Sequence, residues 1–235
     1  MSTHDNPYRA PAVDRPVSEL SADAQASFLT RTYAHLTGAV LLFAGLEYLL
    51  MRSELGLRIA QGILSLPWLV IMGAFMLIGW LCTRTAHNVR SVPLQYAALI
   101  GYVVIQAVIF LPLLFICESR APGVIRSAGV ATLIGFTGLT AIVFFTGKDF
   151  SFLRGLMLFG GLLALGAIVL AAIFGTELGT WFSVAMIGFA GASVLYDTSA
   201  VLHHYPRDRH VGAALELFGS LALMFWYVLR LMSRR

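Results

Sequence analysis

Seven long runs of uncharged, mostly apolar residues determine what this chain can fold into. A helix of about 20 residues crosses the hydrocarbon core of a bilayer, and unpaired backbone groups cannot face lipid. The runs are too long and too continuous for the strands of a membrane barrel. The predicted spans are residues 33–51, 63–82, 93–117, 127–147, 155–174, 180–202 and 211–232. The pattern predicts an all-α integral membrane protein with seven transmembrane helices.

The composition argues against a soluble protein. Hydrophobic residues make up 58% of the chain and charged residues 12%, whereas an ordinary soluble domain has about 25% charged residues. The net charge of +4 comes from arginines between the apolar runs, where basic residues orient a membrane protein and do not form a nucleic-acid surface. The lipid bilayer is therefore the expected surrounding, and nucleic acid is not expected as a partner.

The first 32 residues differ from the rest of the chain. They mix both charge signs with prolines, and they lack the apolar core and small-residue cleavage site of a signal peptide. The expected organisation is a polar, disordered N-terminal tail at residues 1–32 and a membrane domain at residues 33–235.

Basic residues indicate which side of the membrane each end faces. Nine Lys and Arg residues lie in the tail and in the connections after the second, fourth and sixth spans, against seven on the other side if the last segment crosses. If that segment turns back, the balance becomes twelve against four. Both counts predict a cytoplasmic N-terminus. Glu216 interrupts the last run, so whether this segment crosses fully stays open.

Two acidic residues lie inside the last two spans. An Asp at the centre of a spanning helix costs about 2.5–3.5 kcal/mol on insertion scales, so an intramembrane carboxylate marks a functional candidate with a partner. Asp197 lies near the end of the sixth span, and Glu216 lies near the start of the seventh. Because a short connection joins those ends, both side chains are expected at similar depth on the same side.

Two partners for Asp197 remain open from the residues alone. Glu216 and Asp197 in one dry site could not both ionise cheaply, so the pair would hold a proton and respond to pH. Alternatively, Arg84, just beyond the second span, could extend inward and form an ion pair with Asp197. Hydrogen bonding that only locks the bundle is the structural alternative.

The other polar residues do not predict an enzyme. No second aspartate lies within an apolar run, as an intramembrane aspartyl protease would need. Ser193 lacks an evident base with an orienting group, and Cys82 and Cys117 lack the spacing of a disulfide or metal motif. The histidines of the loop HHYPRDRH are expected to be solvated. No catalytic residue, cofactor or metal is therefore predicted.

Three stretches of the chain resemble one membrane protein family. VLYDTSAVLHHY at residues 194–205, followed by AALELFGSLALMFWYVLRLM, resembles the C-terminal signature of the Bax inhibitor-1 (transmembrane Bax inhibitor motif) family, bacterial YccA-like branch. FLTRTYAHLTGAVLLF at the first span and GKDFSFLRGLML at the entry to the fifth span agree with it. The similarity runs from about residue 28 to the end.

The resemblance implies a bundle whose last helix is enclosed by the others, and a pH-sensitive calcium leak that a pair of aspartates gates. Asp197 matches the first aspartate of that pair, whereas the second falls at Ser220. YccA-like members share this replacement. Glu216 lies four residues earlier on the same helix face and could substitute. The bacterial branch is associated with the inner membrane, membrane proteolysis and stress.

Two functions are expected as alternatives. In the first, the protein is a pH-sensitive leak for calcium or another cation, with Asp197, Glu216, Arg84 and Ser220 as the candidate pH-sensing or gating residues. In the second, it is a non-conducting membrane interaction protein that modulates a membrane protease or a stress response.

Overall fold

Helices account for most of the chain in the computed structural model, which describes residues 16–88 and 91–234. The α-helices within these ranges are α1 (Ala22–Met51), α2 (Glu54–Leu64), α3 (Trp68–Asn88), α4 (Val92–Arg120), α5 (Val124–Thr146), α6 (Leu153–Phe174), α7 (Thr180–His203) and α8 (His210–Met232). A 3-10 turn, Val17–Glu19, precedes α1. The only extended pairing in the described part is a bridge between Pro16 and Pro206. The all-helical prediction is confirmed.

Seven of these helices are long and apolar enough to cross a bilayer, and α2, with 11 residues, is not. The sequence pattern did not predict α2, and the predicted span 63–82 begins inside it. Pro67 separates α2 from α3, because the residue before a proline is disfavoured in the helical region. Gly56 lets α2 fold back onto the end of α1, since a Cβ there would lie 2.0 Å from the carbonyl oxygen of Leu50.

The last helix lies at the centre of the bundle. Helices α1, α3, α4, α5 and α7 all contact α8. Within its most apolar window 67% of the residues are buried, whereas α6 has no buried residue. Its 23 residues span about 34 Å at 1.5 Å per residue, which is enough to cross. The expectation of an enclosed last helix is confirmed, and α8 continues without a break through Glu216.

The start of α1 lies at the same end of the bundle as the end of α3, the start of α4 and the α5–α6 and α7–α8 connections, because the spanning helices alternate in direction. We call this the N-terminal end of the bundle. Here the amide of Val17 donates to the carbonyl oxygen of Tyr205 at 2.9 Å, and the Ser18 hydroxyl donates to the carbonyl oxygen of His203 at 2.8 Å. Val17 is fully buried, so the residues before α1 pack firmly on the α7–α8 connection.

Helix α1 begins at Ala22, inside the segment that was expected to be a disordered tail. Phe28 and Thr32 are buried in this first part of α1, so tertiary contacts extend the helix below the apolar run. The sequence pattern missed this because polar residues surround the two buried positions. Residues 1–15 of the predicted tail lie outside the described residues.

Candidate functional site

Asp197 and Ser220 meet at the interface of α7 and α8. The Ser220 hydroxyl donates a hydrogen bond to Oδ2 of Asp197, and Ser220 is only 7% exposed. Small residues at this interface allow the two helices to approach closely. The position that matches the second aspartate of the family pair therefore still contacts Asp197, through a neutral hydroxyl.

Glu216 lies one turn before Ser220 on α8, nearer the N-terminal end of the bundle. It is close enough to Asp197 for the two charges to act on each other. The Tyr205 hydroxyl, in the α7–α8 connection, donates to the Glu216 carboxylate. Burial, together with the negative charge of Glu216, raises the pKa of Tyr205 well above its ordinary value. This hydroxyl therefore stays protonated and remains a donor.

Arg84 lies away from this site. Its guanidinium carbon is 5.0 Å from the ring centroid of Trp80, one turn back on α3. The side chain is exposed and extends along its own helix, so it does not reach inward. The polar contacts described for Asp197 are made with α8, and the geometry does not favour the Arg84 alternative.

Tyr102 on α4 forms a third side of the site, which the sequence pattern did not indicate. It lies near both Glu216 and Asp197, and Nε2 of Gln106 donates to its hydroxyl at 3.1 Å. Gly219 makes room for Tyr102, because a Cβ there would lie 3.1 Å from the hydroxyl oxygen. Since α4 is distant in the chain from α7 and α8, only the packing of the bundle reveals this contact.

A cluster of aromatic rings lies beyond Gln106, deeper in the bundle. The Phe110 ring stacks on Phe225 with centroids 5.6 Å apart and meets Phe43 edge-on at 5.2 Å. One turn beyond Phe43, Glu47 is 6% exposed. Neither carboxyl oxygen of Glu47 has a hydrogen-bond partner among the described residues. The aromatic rings therefore separate the Asp197 site from a second buried carboxyl group.

A cavity of about 560 Å³ leads from the N-terminal end of the bundle to Glu216. Its lining comes from the α5–α6 connection, the first turn of α6, the end of α7, the α7–α8 connection and the second turn of α8. The lining residues are Ser151, Arg154, Tyr196, Ala200, His204, Tyr205, Pro206, Arg209 and Glu216. Glu216 therefore lines a cavity that opens at the N-terminal end of the bundle.

Asp149 forms a second polar cluster at the edge of this cavity. Its Oδ2 lies 2.9 Å from Nε2 of His204, and its Oδ1 accepts hydrogen bonds from the Ser199 hydroxyl at 3.3 Å and from the Ser151 amide at 2.8 Å. The Phe150 amide donates to the same Ser199 hydroxyl at 2.8 Å. These bonds attach the α5–α6 connection to the end of α7.

The environment of Asp149 favours its charged form. Burial acts to raise the pKa of Asp149, but the Ser151 amide and the neighbouring His204 outweigh burial and hold the pKa below its ordinary value. In the sequence, the stretch GKDFSFL indicates a family resemblance and no specific role for Asp149. Asp149 and Ser151 stand just before the start of α6, which could have marked them as a polar cluster. The Asp149 partners His204 and Ser199 lie about 50 residues further along the chain, so the sequence does not reveal the contact.

Comparisons with known proteins agree with this architecture. The sequence model of the family described as "Inhibitor of apoptosis-promoting Bax1" matches residues 25–235. Bax inhibitor 1 of Schizosaccharomyces pombe is 25% identical over 237 residues, covering 95% of this chain and 84% of the yeast protein. The uncharacterized protein PA2604 of Pseudomonas aeruginosa is 35% identical over 111 residues, covering 46% of this chain and about half, 49%, of that protein. The family model matches nearly the whole chain, and the last of the seven candidate spans is enclosed by the others. This membrane protein therefore belongs to the Bax inhibitor-1 family.

Proposed function

We propose that the protein is a pH-sensitive leak for calcium or another cation, gated by protonation of Asp197. The observation that carries the proposal is the Asp197 carboxyl group itself, hydrogen-bonded by Ser220 between the last two helices with Glu216 one turn away. No enzymatic activity is part of this proposal.

The gating step is the loss of a charge-assisted hydrogen bond. A hydroxyl bonds an ionised carboxylate about twice as strongly as a neutral group. Proton uptake by Asp197 would weaken its bond to Ser220 and remove its repulsion of Glu216. Because α8 contacts most of the other spans, a change in its packing on α7 would be transmitted through the bundle.

The cavity gives this step a route to water. It connects the N-terminal end of the bundle to Glu216, so protons and small cations from that side could approach the carboxyl site. The aromatic cluster of Phe43, Phe110 and Phe225 blocks the continuation of this route. Conduction therefore requires a rearrangement, as expected for a gated leak.

A non-conducting interaction protein is the second candidate, and the charges of the cavity favour it. Arg154 and Arg209 both line the route to Glu216, and fixed positive charges oppose the entry of cations. In this alternative, protonation of Asp197 would change the shape of the final helices, and a membrane protease or another stress-response partner would recognise that shape.

We further propose that the protein resides in a bacterial inner membrane with its N-terminal end toward the cytoplasm. Because α8 is long enough to cross, the balance of basic residues is nine at the N-terminal end against seven at the other. The excess has the sign expected for the cytoplasmic side.

The test is calcium flux into liposomes that contain a calcium dye and the purified protein. Stepping from pH 8 to pH 6 should increase flux in the parent by up to about 100-fold, the limit for one proton over two pH units. Asp197→Asn should give a ratio near one. Ser220→Asp, which restores a second aspartate, should keep a strong pH response.

Asp208→Asn is the matched control, because Asp208 lies in the α7–α8 connection and pairs with Arg209 at 3.7 Å. It should retain the parental pH profile. A parental profile in Asp197→Asn would refute gating by this residue. Absence of flux in the parent at both pH values would refute the leak and leave the interaction protein.

A further inference from the structure

Helix α6 is the least embedded of the spanning helices. None of its residues is buried, and its main neighbours are α7 and α3. The Phe189 ring of α7 packs against Gly160 in the middle of α6, where a Cβ would lie 3.0 Å from the ring. The connections at both ends of α6 carry polar contacts: Asp149 attaches the α5–α6 connection to His204 and Ser199, and the Leu178 carbonyl oxygen in the α6–α7 connection accepts from Arg230 and Arg234 on the last helix and just beyond it.

We propose that Asp149 is a latch that holds the α5–α6 connection closed over the cavity leading to Glu216. In the closed position, Asp149 binds His204 and Ser199 at the end of α7. Loss of these bonds lets the connection and the start of α6 move away, which widens the cavity toward the aqueous phase at the N-terminal end.

The geometry places the latch directly on the cavity wall. His204, the first residue after α7, lines the cavity from one side, and Ser151 and Arg154 line it from the other side, shortly after Asp149. The Asp149–His204 contact therefore joins the two walls at one edge. Ser199, which is fully buried, fixes the same connection through the Phe150 amide.

The Asp149–His204 contact is partly exposed to solvent, which allows it to break and re-form. The side chains of His204 and Asp149 are 52% and 42% exposed, and contact with solvent weakens a polar contact of this kind. The α5–α6 connection begins at Gly147, which has φ 60°, a conformation that glycine adopts without strain. The connection can therefore turn at this residue while α5 stays in place.

Charged groups from each neighbouring element face the latch. Lys148 and Arg154 flank Asp149 in the connection and the first turn of α6. His203, the last residue of α7, lies beside His204, with ring centroids 6.1 Å apart, and Arg209 and Glu216 also line the cavity. Of these two histidines, His204 bonds Asp149, whereas His203 Nδ1 lies 3.0 Å from the carbonyl oxygen of Ser199. This difference provides a matched pair of variants.

Access to the cavity can be measured whether or not ions cross the bilayer. Ala200 lines the cavity, so Ala200→Cys, in a chain that also carries Cys82→Ala and Cys117→Ala, reports entry of a small charged methanethiosulfonate reagent. Asp149→Asn and His204→Gln should each increase the labelling rate about two- to fivefold, the factor that the loss of one partly exposed polar contact adds to a local opening equilibrium. His203→Gln should label at the parental rate.

Ser199→Ala and hydrogen exchange supply independent checks. Ser199→Ala removes the buried hydroxyl that bonds both Asp149 and the Phe150 amide, and it should increase labelling in the same direction. The amides of Phe150 and Ser151 should exchange faster in all three latch variants. Should Asp149→Asn not fold, Ser199→Ala decides. Parental labelling and exchange in the folded latch variants, or an equal increase in His203→Gln, would overturn the proposal.

Discussion

At the scale of single residues, the Ser220 hydroxyl matters because it is the hydrogen-bond donor to the buried Asp197 carboxyl group. A buried hydroxyl contributes to stability when it has a partner and costs free energy when it has none. Ser220 on α8 bonds Asp197, whereas Ser183, which lies on α7 and is fully buried, has no partner for its Oγ among the described residues. Substitution by alanine is therefore expected to have different effects on the stability of the protein at these two positions.

Ser220→Ala should destabilise the protein by about 1–3 kcal/mol, because it leaves the Asp197 carboxyl without its hydroxyl donor. Ser183→Ala should be neutral or slightly stabilising, because it removes an unpaired polar atom. Thermal unfolding of both variants in the same detergent measures the difference. Equal effects of the two substitutions would show that the Ser220 bond does not contribute.

At the scale of structural elements, hydrogen bonds attach the connections at the N-terminal end of the bundle to the helices and to one another. Asp149 ties the α5–α6 connection to α7, and Val17 and Ser18 tie the segment before α1 to the α7–α8 connection. Both attachments surround the cavity that leads to Glu216. The N-terminal end of the bundle is thus a tightly connected assembly, whereas α6 remains exposed along its length.

The pH dependence of the Asp149 contact follows from its lowered pKa. A carboxyl with a lowered folded-state pKa stabilises the protein above its unfolded value of about 3.9, and this contribution is lost as the pH falls through the lower folded value. Asp149→Asn should therefore lower the Tm by about 2 °C at pH 5, since the pair is half-exposed and contributes at most about 1 kcal/mol. The difference should shrink as the pH falls below about 3.9 toward the lower folded-state value. A Tm difference that stays constant as the carboxyl group is titrated would contradict this assignment.

At the scale of the whole molecule, α8 crosses the bundle and carries the chain to the opposite end. Nη2 of Arg234 donates to the carbonyl oxygen of Leu178 at 2.8 Å and lies 3.9 Å from Glu177, both in the α6–α7 connection. Lys148, in the α5–α6 connection, lies at the other end. The two described termini of the chain are therefore on opposite sides of the bundle.

Cysteine labelling in intact cells tests this arrangement. In a chain without Cys82 and Cys117, Glu177→Cys and Ser233→Cys should react with an impermeant reagent from the same side, and Lys148→Cys should react only from the other. With a cytoplasmic N-terminal end, the external reagent labels positions 177 and 233. Labelling of positions 148 and 233 from one side would mean that α8 turns back and does not cross.

The two late carboxyl groups illustrate how much of the site could be predicted. Asp197 and Glu216 stand out because charges are rare within apolar runs, and a short connection between their helices requires them to lie near each other. The same reasoning could not choose between Glu216 and Arg84 as a partner, because it does not give the direction of a long side chain. Arg84 packs along its own helix on Trp80.

Hydrophobic length by itself determined the fold class and the number of crossings, because a bilayer accepts only backbone that bonds within its own segment. Tertiary packing decided the rest. It set the start of α1, the break between α2 and α3, and the meeting of Tyr102 with the carboxyl site. It also joined Asp149 to His204, 55 residues apart in the chain. These contacts depend on how each helix is rotated about its axis and where each connection returns, and hydropathy along the chain carries little information about either.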